Sequence, residues 1–190
     1  MTIATLSRAS RRARGINQSQ VAAITGLATS NLSVIETGRR VPRVDTLDDI
    51  LRSSGARLSI SPTLRITALE ASAEIRQSLA DGDPKQAFRG WLAFNSDLAA
   101  ETPTNRVVLT AYPPEPTGDR LFDAALAALT EYRLRQVAAP VPDWVDAAPS
   151  LDEPRVLTDS RYVTAAVLGE IPDSFARRGV LIDIESLEST

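Results

Sequence analysis

The 190-residue chain contains no cysteine and no histidine, and Lys85 is its only lysine. Without cysteine there is neither a disulfide framework nor a thiolate metal site. Without histidine the commonest general base and the commonest zinc ligand are both missing. Aromatic residues make up 5 % of the chain. No stretch approaches the roughly 18 consecutive apolar residues of a membrane span. The amino-terminal MTIATLSRASRRARG lacks the apolar run of a secretory signal. These absences predict a soluble cytoplasmic protein with no membrane association, no metal and no cofactor. Hydrophobic residues, at 43 %, still suffice for a packed core. The length fits one medium domain or a small domain beside a larger one.

Catalysis would have to rest on carboxylates, on Lys85 or on serines. The candidate pairs Asp81/Asp83, Asp143/Asp146 and Asp152/Glu153 fall in Pro- or Gly-rich turns, where acidic residues ordinarily form solvated turns. None has the spacing of a calcium loop. An enzyme is not expected. The net charge of −3 hides a strong asymmetry. Residues 1–65 hold ten arginines against Glu36, Asp45, Asp48 and Asp49, a net of +6, whereas residues 66–190 hold 11 basic against 20 acidic residues, a net of −9. A basic head on an acidic body is the distribution of a nucleic-acid-binding module joined to something else.

The segment GINQSQVAAITGLATSNLSVIETGRRVP at residues 15–42 explains the basic head. A helix is expected over 3–14, with Leu6, Ala9 and Ala13 on one apolar face and Gly15 as its stop. Asn17 is a good N-cap for a second helix to about Ile24, with Val21 and Ala22 inward. Thr25-Gly26-Leu27 reads as the turn, since Gly26 can supply the left-handed backbone that a tight inter-helix connection needs. A third helix is expected over about 29–37, with Leu32 and Ile35 inward and Gly38 stopping it. A fourth begins at Asp45 or Thr46, carries Leu47, Ile50 and Leu51, and ends near Gly55. Arg57-Leu58-Ser59-Ile60 alternates as a short strand would. Ser61-Pro62 marks a domain boundary.

This is the pattern of a helix-turn-helix that lays its second helix in the major groove of duplex DNA, about 12 Å wide. On that reading Thr29, Ser30, Asn31 and Ser33 face the bases. Gln18 meets a phosphate at the start of the bracing helix. Arg39 and Arg40, with Arg11 and Arg12 of the first helix, are the other phosphate candidates. Asn31 is the only one of these base-facing residues able to make a bidentate adenine contact, and hydroxyls discriminate bases poorly. Binding as a homodimer, with half-sites about one helical turn apart, is therefore expected.

The residues Gln18-Ser19-Gln20-Val21-Ala22, Gly26-Leu27, Leu32-Ser33-Val34-Ile35-Glu36-Thr37-Gly38-Arg39 and Pro42 resemble the phage-repressor (Xre-type) helix-turn-helix family. The resemblance covers roughly residues 3–60. It implies a lambda-repressor-like domain of four or five helices, with Thr29, Ser30 and Ser33 as base contacts and Gln18 as a backbone contact. It also implies a structural role for Glu36, tying the recognition helix to its neighbours. The chain departs from the family at Ala28, where Ser or Thr usually caps the recognition helix. Loss of such a cap costs on the order of 1 kcal/mol unless Thr29 substitutes.

The remainder is expected to be mostly helical. Residues 64–80 and 84–99 read as helices broken at Asp81-Gly82-Asp83-Pro84. Thr102–Tyr112 contains Val107-Val108-Leu109, a short strand or a buried extended segment. Asp119 caps an amphipathic helix with Phe122, Leu126, Leu129 and Tyr132 on one face. Four prolines between Pro140 and Pro154 exclude long regular structure. Ile171-Pro172-Asp173 looks like a helix start, and residues 179–184 like extended chain or strand. The overall expectation is a mainly α protein. Residues 1–62 form the helix-turn-helix domain. Residues 63–190 form an acidic partner-binding or dimerisation region with a few short strands and extended segments.

Acidic surface suits a basic partner. Trp144, an aromatic among prolines, would lose little conformational entropy on docking; the alternative is that it packs on its own domain. Asp123–Leu129, Pro142-Asp143-Trp144-Val145, Ile171–Val180 around Phe175, and Ile182-Asp183 with Leu187 resemble the C-terminal region of certain actinobacterial Xre-type proteins thought to be antitoxins. The resemblance implies an antitoxin that represses its own operator and neutralises a nucleotidyltransferase-type toxin, with Trp144 and Phe175 as candidate partner contacts. The alternative is a ligand- or partner-responsive repressor without a toxin.

Overall fold

The computed structural model describes residues 3–58, 60–158, 170–182 and 184–188. The chain divides into two compact units, Met1–Pro62 and Thr63–Thr190. It is mainly helical, and the described residues contain one two-stranded sheet. No described helix is long and apolar enough to cross a membrane.

The first unit consists of α1 (Ile3–Ala13), α2 (Gln18–Thr25), α3 (Thr29–Glu36) and α4 (Val44–Ser53). Val21, Leu32, Ile35 and Ile50 form its core, with Ile16 and Leu27 packed against them. Two expectations for this unit need correction. The buried positions of α1 are Ser7, Ala9 and Ser10, whereas Ala13 is exposed. Small side chains let α3 and α4 approach α1 closely, and Ser10 Oγ donates to the Ser7 carbonyl at 3.0 Å, so its hydroxyl is satisfied inside. The strand expected over 57–60 does not form in its described part. Arg57, Leu58 and Ile60 lie in no strand, Ile60 is 98 % exposed, and Ser59 lies outside the described residues.

The second unit is built on the antiparallel pair α5 (Ala68–Ala80) and α6 (Pro84–Ala100). α5 starts later than the sequence suggests because Thr67 forms a capping box with Glu70 there, and Leu64 stays in solvent. Asp83 caps α6 by accepting from the Gln86 N–H at 2.9 Å, with Pro84 in the first turn. Residues 103–110 form a helix, α7 (Pro103–Thr110), and not the expected strand or extended segment. The Thr102 hydroxyl accepts from the Asn105 N–H, Pro103 suits a first turn, and Arg106, Leu109 and Thr110 are buried with helical spacing. These terms outweigh the β-branched pair Val107-Val108, of which Val107 is half-buried and Val108 exposed.

α8 (Arg120–Arg135) begins at the expected cap, Asp119, whose carboxylate accepts from the Leu121 N–H at 2.7 Å. It is not amphipathic but central: Leu121, Phe122 and every residue from Ala124 to Glu131 are buried. Its small alanines let neighbours pack on all sides. After a single 3₁₀ turn at Asp143–Val145 come β1 (Arg155–Val156), α9 (Asp173–Ala176), β2 (Val180–Leu181) and α10 (Ile184–Glu188). β1 and β2 pair in parallel, Arg155 opposite Val180 and Val156 opposite Leu181. The extended segment expected over 179–184 thus ends early, with Ile184 opening a helix and Asp183 outside the described residues.

Phe175 joins the elements of this core. Its ring meets Trp91 edge-on at 6.1 Å and Tyr132 at 6.0 Å, and Trp91 stacks on Phe88 at 6.2 Å. Three arginines inside the unit are satisfied by carbonyl and carboxylate oxygens. Arg106 donates to the carbonyls of Ala99 (2.9 Å), Glu101 (3.1 Å) and Arg133 (2.9 Å), closing the C-terminal ends of α6 and α8. Arg133 donates to Asn95 Oδ1 and to the Leu187 carbonyl. Arg178 joins Glu131 to the carbonyls of Ser174 and Val145. Phe175→Ala is expected to destabilise the second unit by about 3–5 kcal/mol. Urea unfolding followed by the fluorescence of the adjacent Trp91 measures this, and a loss below about 1 kcal/mol would show that the ring does not organise the core.

Candidate nucleic-acid interface

α2 is held at its start by a reciprocal cap. Asn17 Oδ1 accepts from the Gln20 N–H at 2.9 Å, and Gln20 Oε1 accepts from the Asn17 N–H at 2.8 Å. Gly26, at φ 73°, turns the chain left-handed between α2 and α3, a conformation costly for a residue with a Cβ. Leu32 and Ile35 fasten the inner face of α3 to the core. The start of α3 has no side-chain cap: Ala28 offers none and no hydroxyl substitutes. At its end, the N–H groups of Arg39 and Arg40 both reach back to the Val34 carbonyl, at 3.0 and 3.1 Å. This tight ending turns both arginine side chains out into solvent.

The outer face of α3 is polar. Thr29 and Ser30 are exposed, and Asn31 and Ser33 are half-buried. Thr37 is exposed but donates its hydroxyl to the Ser33 carbonyl at 2.9 Å. Arg12, Arg39 and Arg40 are exposed, as a phosphate contact requires. Arg43, not singled out from the sequence, adds a further exposed guanidinium near Asp45.

Arg11 and Gln18 are placed differently. Arg11 Nε and Nη2 donate to the two Glu36 carboxylate oxygens at 2.7 and 2.8 Å, and Nη1 donates to the Ile16 carbonyl at 3.0 Å. Gln18 Nε2 donates to Glu36 Oε2 at 2.9 Å, and Arg8 donates to the Glu36 carbonyl. Arg11 is therefore an internal tie and not the outward phosphate ligand expected. Gln18 keeps its place at the start of α2, but its amide N–H₂ is directed to Glu36. A residue 25 positions from its partner leaves no periodic signal, so the Arg11–Glu36 pair is invisible in sequence.

Glu36 is 2 % exposed. Burial alone pushes its carboxyl up, but hydrogen bonds from Arg11 and Gln18 and the charges of Arg11 and Arg8 outweigh that and hold it below the usual carboxylate range. The same bond raises the Arg11 guanidinium against its desolvation.

The predicted partner contacts of the second unit fare unequally. Phe175 is fully buried in the core and presents nothing to a partner. Ile171-Pro172-Asp173 opens α9 as expected, and α9 faces Phe175 inward. Trp144 is half-buried, packs against the core of its own unit and donates Nε1–H to the Thr110 carbonyl at 2.8 Å. Of the acidic turn pairs, Asp83 serves as a helix cap and Asp81 accepts from Gln77.

Residues 4–58 match the family model of a helix-turn-helix domain, in agreement with the Xre-type pattern. The match and the four-helix arrangement mark the first unit as a helix-turn-helix domain, a domain type that suggests DNA binding. No curated protein and no solved structure matches the chain.

Three outcomes are expected of this arrangement. Because the folded pKa of Glu36 lies below its unfolded value, its contribution is present above the ordinary glutamate pKa of about 4.3 and is lost as pH falls through the folded value. Amide exchange at Leu32 and Ile35 should therefore accelerate on acidification through that window, and Glu36→Gln should lose this pH step. At neutral pH, Glu36→Ala should cost about 3 kcal/mol by the same measurement, since Arg11 is left without its carboxylate. Ala28→Ser should stabilise the first unit by about 1 kcal/mol, read as a raised Tm.

Proposed function

We propose that the protein is a sequence-specific DNA-binding regulator acting as a homodimer on its own operator. The observation that supports this best is the surface of α3. Its hydroxyl and amide row, Thr29, Ser30, Asn31 and Ser33, runs directly into exposed Arg39 and Arg40, while Glu36 secures the helix from behind. The hydroxyls and Asn31 read base edges, and Arg39, Arg40 and Arg12 neutralise phosphates, with backbone N–H groups at the start of α2 beside Gln18. Since no arginine lies on the reading face, one copy discriminates weakly, and two copies spaced by about one helical turn supply the remaining affinity.

The acidic second unit serves a protein partner on this reading. Its resemblance to antitoxin C-terminal regions supports a role in neutralising a nucleotidyltransferase-type toxin. The burial of Phe175 favours the second reading, a repressor that answers to another partner or ligand without a toxin. Co-expression separates them, because an antitoxin relieves the growth arrest caused by such a toxin and a plain repressor does not.

Binding to a duplex from upstream of the coding region, followed by anisotropy over 50–200 mM salt, tests the DNA reading. Log affinity should fall linearly with log salt, and Arg39→Ala should reduce the slope by about 0.9. Asn31→Ala should relax discrimination at one base pair by about 1–3 kcal/mol with the slope unchanged. A salt-independent affinity, or equal binding to unrelated duplexes, contradicts the reading.

A further inference from the structure

A recess of about 430 Å³ lies within the second unit, between the C-terminal end of α8 and α9. Glu131, Arg135, Asp173, Ser174 and Arg177 line it. One carboxylate there serves three guanidinium groups. Glu131 Oε1 accepts from Arg135 Nε at 2.7 Å, and Oε2 accepts from Arg178 Nη1 at 2.7 Å and from Arg177 Nη2. The side chains of Glu131 and Arg178 are 3 % and 6 % exposed, whereas those of Arg135 and Arg177 keep 66 % and 43 %. Arg178 is consumed inside, since its other bonds go to the Ser174 and Val145 carbonyls at 2.8 Å.

The outer two arginines keep donors in reserve. Both oxygens of Glu131 are taken, and each guanidinium carries five N–H groups. The two terminal nitrogens of Arg135, and Nε and Nη1 of Arg177, donate to nothing among the described residues. Asp146 pairs with Arg177 Nη2 at 3.6 Å, but its side chain is 79 % exposed, so water screens that pair. An independent observation comes from Ser174. It is 6 % exposed, and its hydroxyl has no hydrogen-bond partner among the described residues. A buried hydroxyl left unpaired costs about 1–3 kcal/mol, so the wall of the recess holds a donor without its acceptor.

Two guanidinium edges and a hydroxyl together match an oxyanion with several oxygens. A carboxylate offers two, whereas a phosphate monoester offers three strong acceptors and up to two negative charges. The volume lies within the roughly 300–1,000 Å³ typical of small-molecule sites, which leaves room for the body of an ester. Asp173, exposed on the rim, is the one like charge opposing such a ligand from α9.

We propose that this recess binds the phosphate group of a small phosphate monoester. The spare donors of Arg135 and Arg177 take its oxygens, and the Ser174 hydroxyl donates a further bond. Glu131 holds the two guanidiniums from behind, and Arg178 fixes Glu131. The site lies within the second unit and does not depend on the DNA or antitoxin reading.

The probe is phenyl phosphate, titrated at constant ionic strength into the ¹⁵N-labelled full chain. The expected result is a saturable shift of the Ser174 and Arg177 amide signals and of the Nε–H signals of Arg135 and Arg177. Arg135→Gln should weaken binding about tenfold, while Glu131 retains its other two guanidiniums. Ser174→Ala should weaken it about threefold or more with Tm unchanged or raised, because the variant removes an unpaired buried hydroxyl. Asp173→Asn should tighten it by removing the like charge. Benzoate should bind at least about threefold more weakly than phenyl phosphate. No saturable shift, shifts confined to the first unit, wild-type binding by Arg135→Gln or Ser174→Ala, or equal binding of benzoate overturns the proposal.

Discussion

The first unit depends on one buried carboxylate. Glu36 sits at the last turn of α3, yet its partners come from α1 and from the start of α2. A single side chain thus sets the position of α3 against two neighbours at once. Apolar packing of Leu32 and Ile35 supplies most of the burial, but packing alone tolerates rotation and sliding. The paired bonds from Arg11 do not, because a planar guanidinium on a carboxylate has a directional geometry. On the proposed DNA reading, a small shift of α3 changes what its hydroxyls can reach, so the tie bears on recognition as well as on stability.

The second unit repeats the device with different partners. Arg106, Arg133 and Arg178 are all buried, and each collects several backbone or side-chain oxygens, among them carbonyls at helix ends. A lysine ammonium, a point charge with three donors, could not bridge carbonyls this way, whereas the guanidinium fork offers five. The preference for arginine over lysine, which in the basic head suggests only composition bias, has a structural use here. α8 makes this possible by being central, so that elements distant in sequence converge on its far end around Glu131 and Arg133.

Much of this architecture is legible in the sequence where the signal is local. Asn17, Gly26, Gly38, Asp83 and Asp119 act within four residues of themselves, and their caps and turns lie where the pattern puts them. Elements whose state depends on distant contacts are not legible. Val107-Val108-Leu109 reads as extended because its residues favour strands, but the Thr102 cap and the burial of Arg106 make it a helix. Phe175 looks like a contact residue only because its segment resembles the C-terminal region of antitoxins. Only Trp91 and Tyr132 on either side decide that it belongs inside. Arg11 resembles its neighbour Arg12 in every sequence property, yet one faces Glu36 and the other solvent.

The sequence by itself determines the helix-turn-helix, the polar row on its third helix, the opposed charges of the two halves and the absence of histidine and cysteine chemistry. Each is a matter of residue type and short spacing, for which the chain carries its own rules. The tertiary structure alone decides which arginines are ties and which reach outward. It also decides which aromatic is core and which lines a groove. Those outcomes depend on segments tens of residues apart being brought within a few ångströms, and no periodicity along a chain encodes such distances.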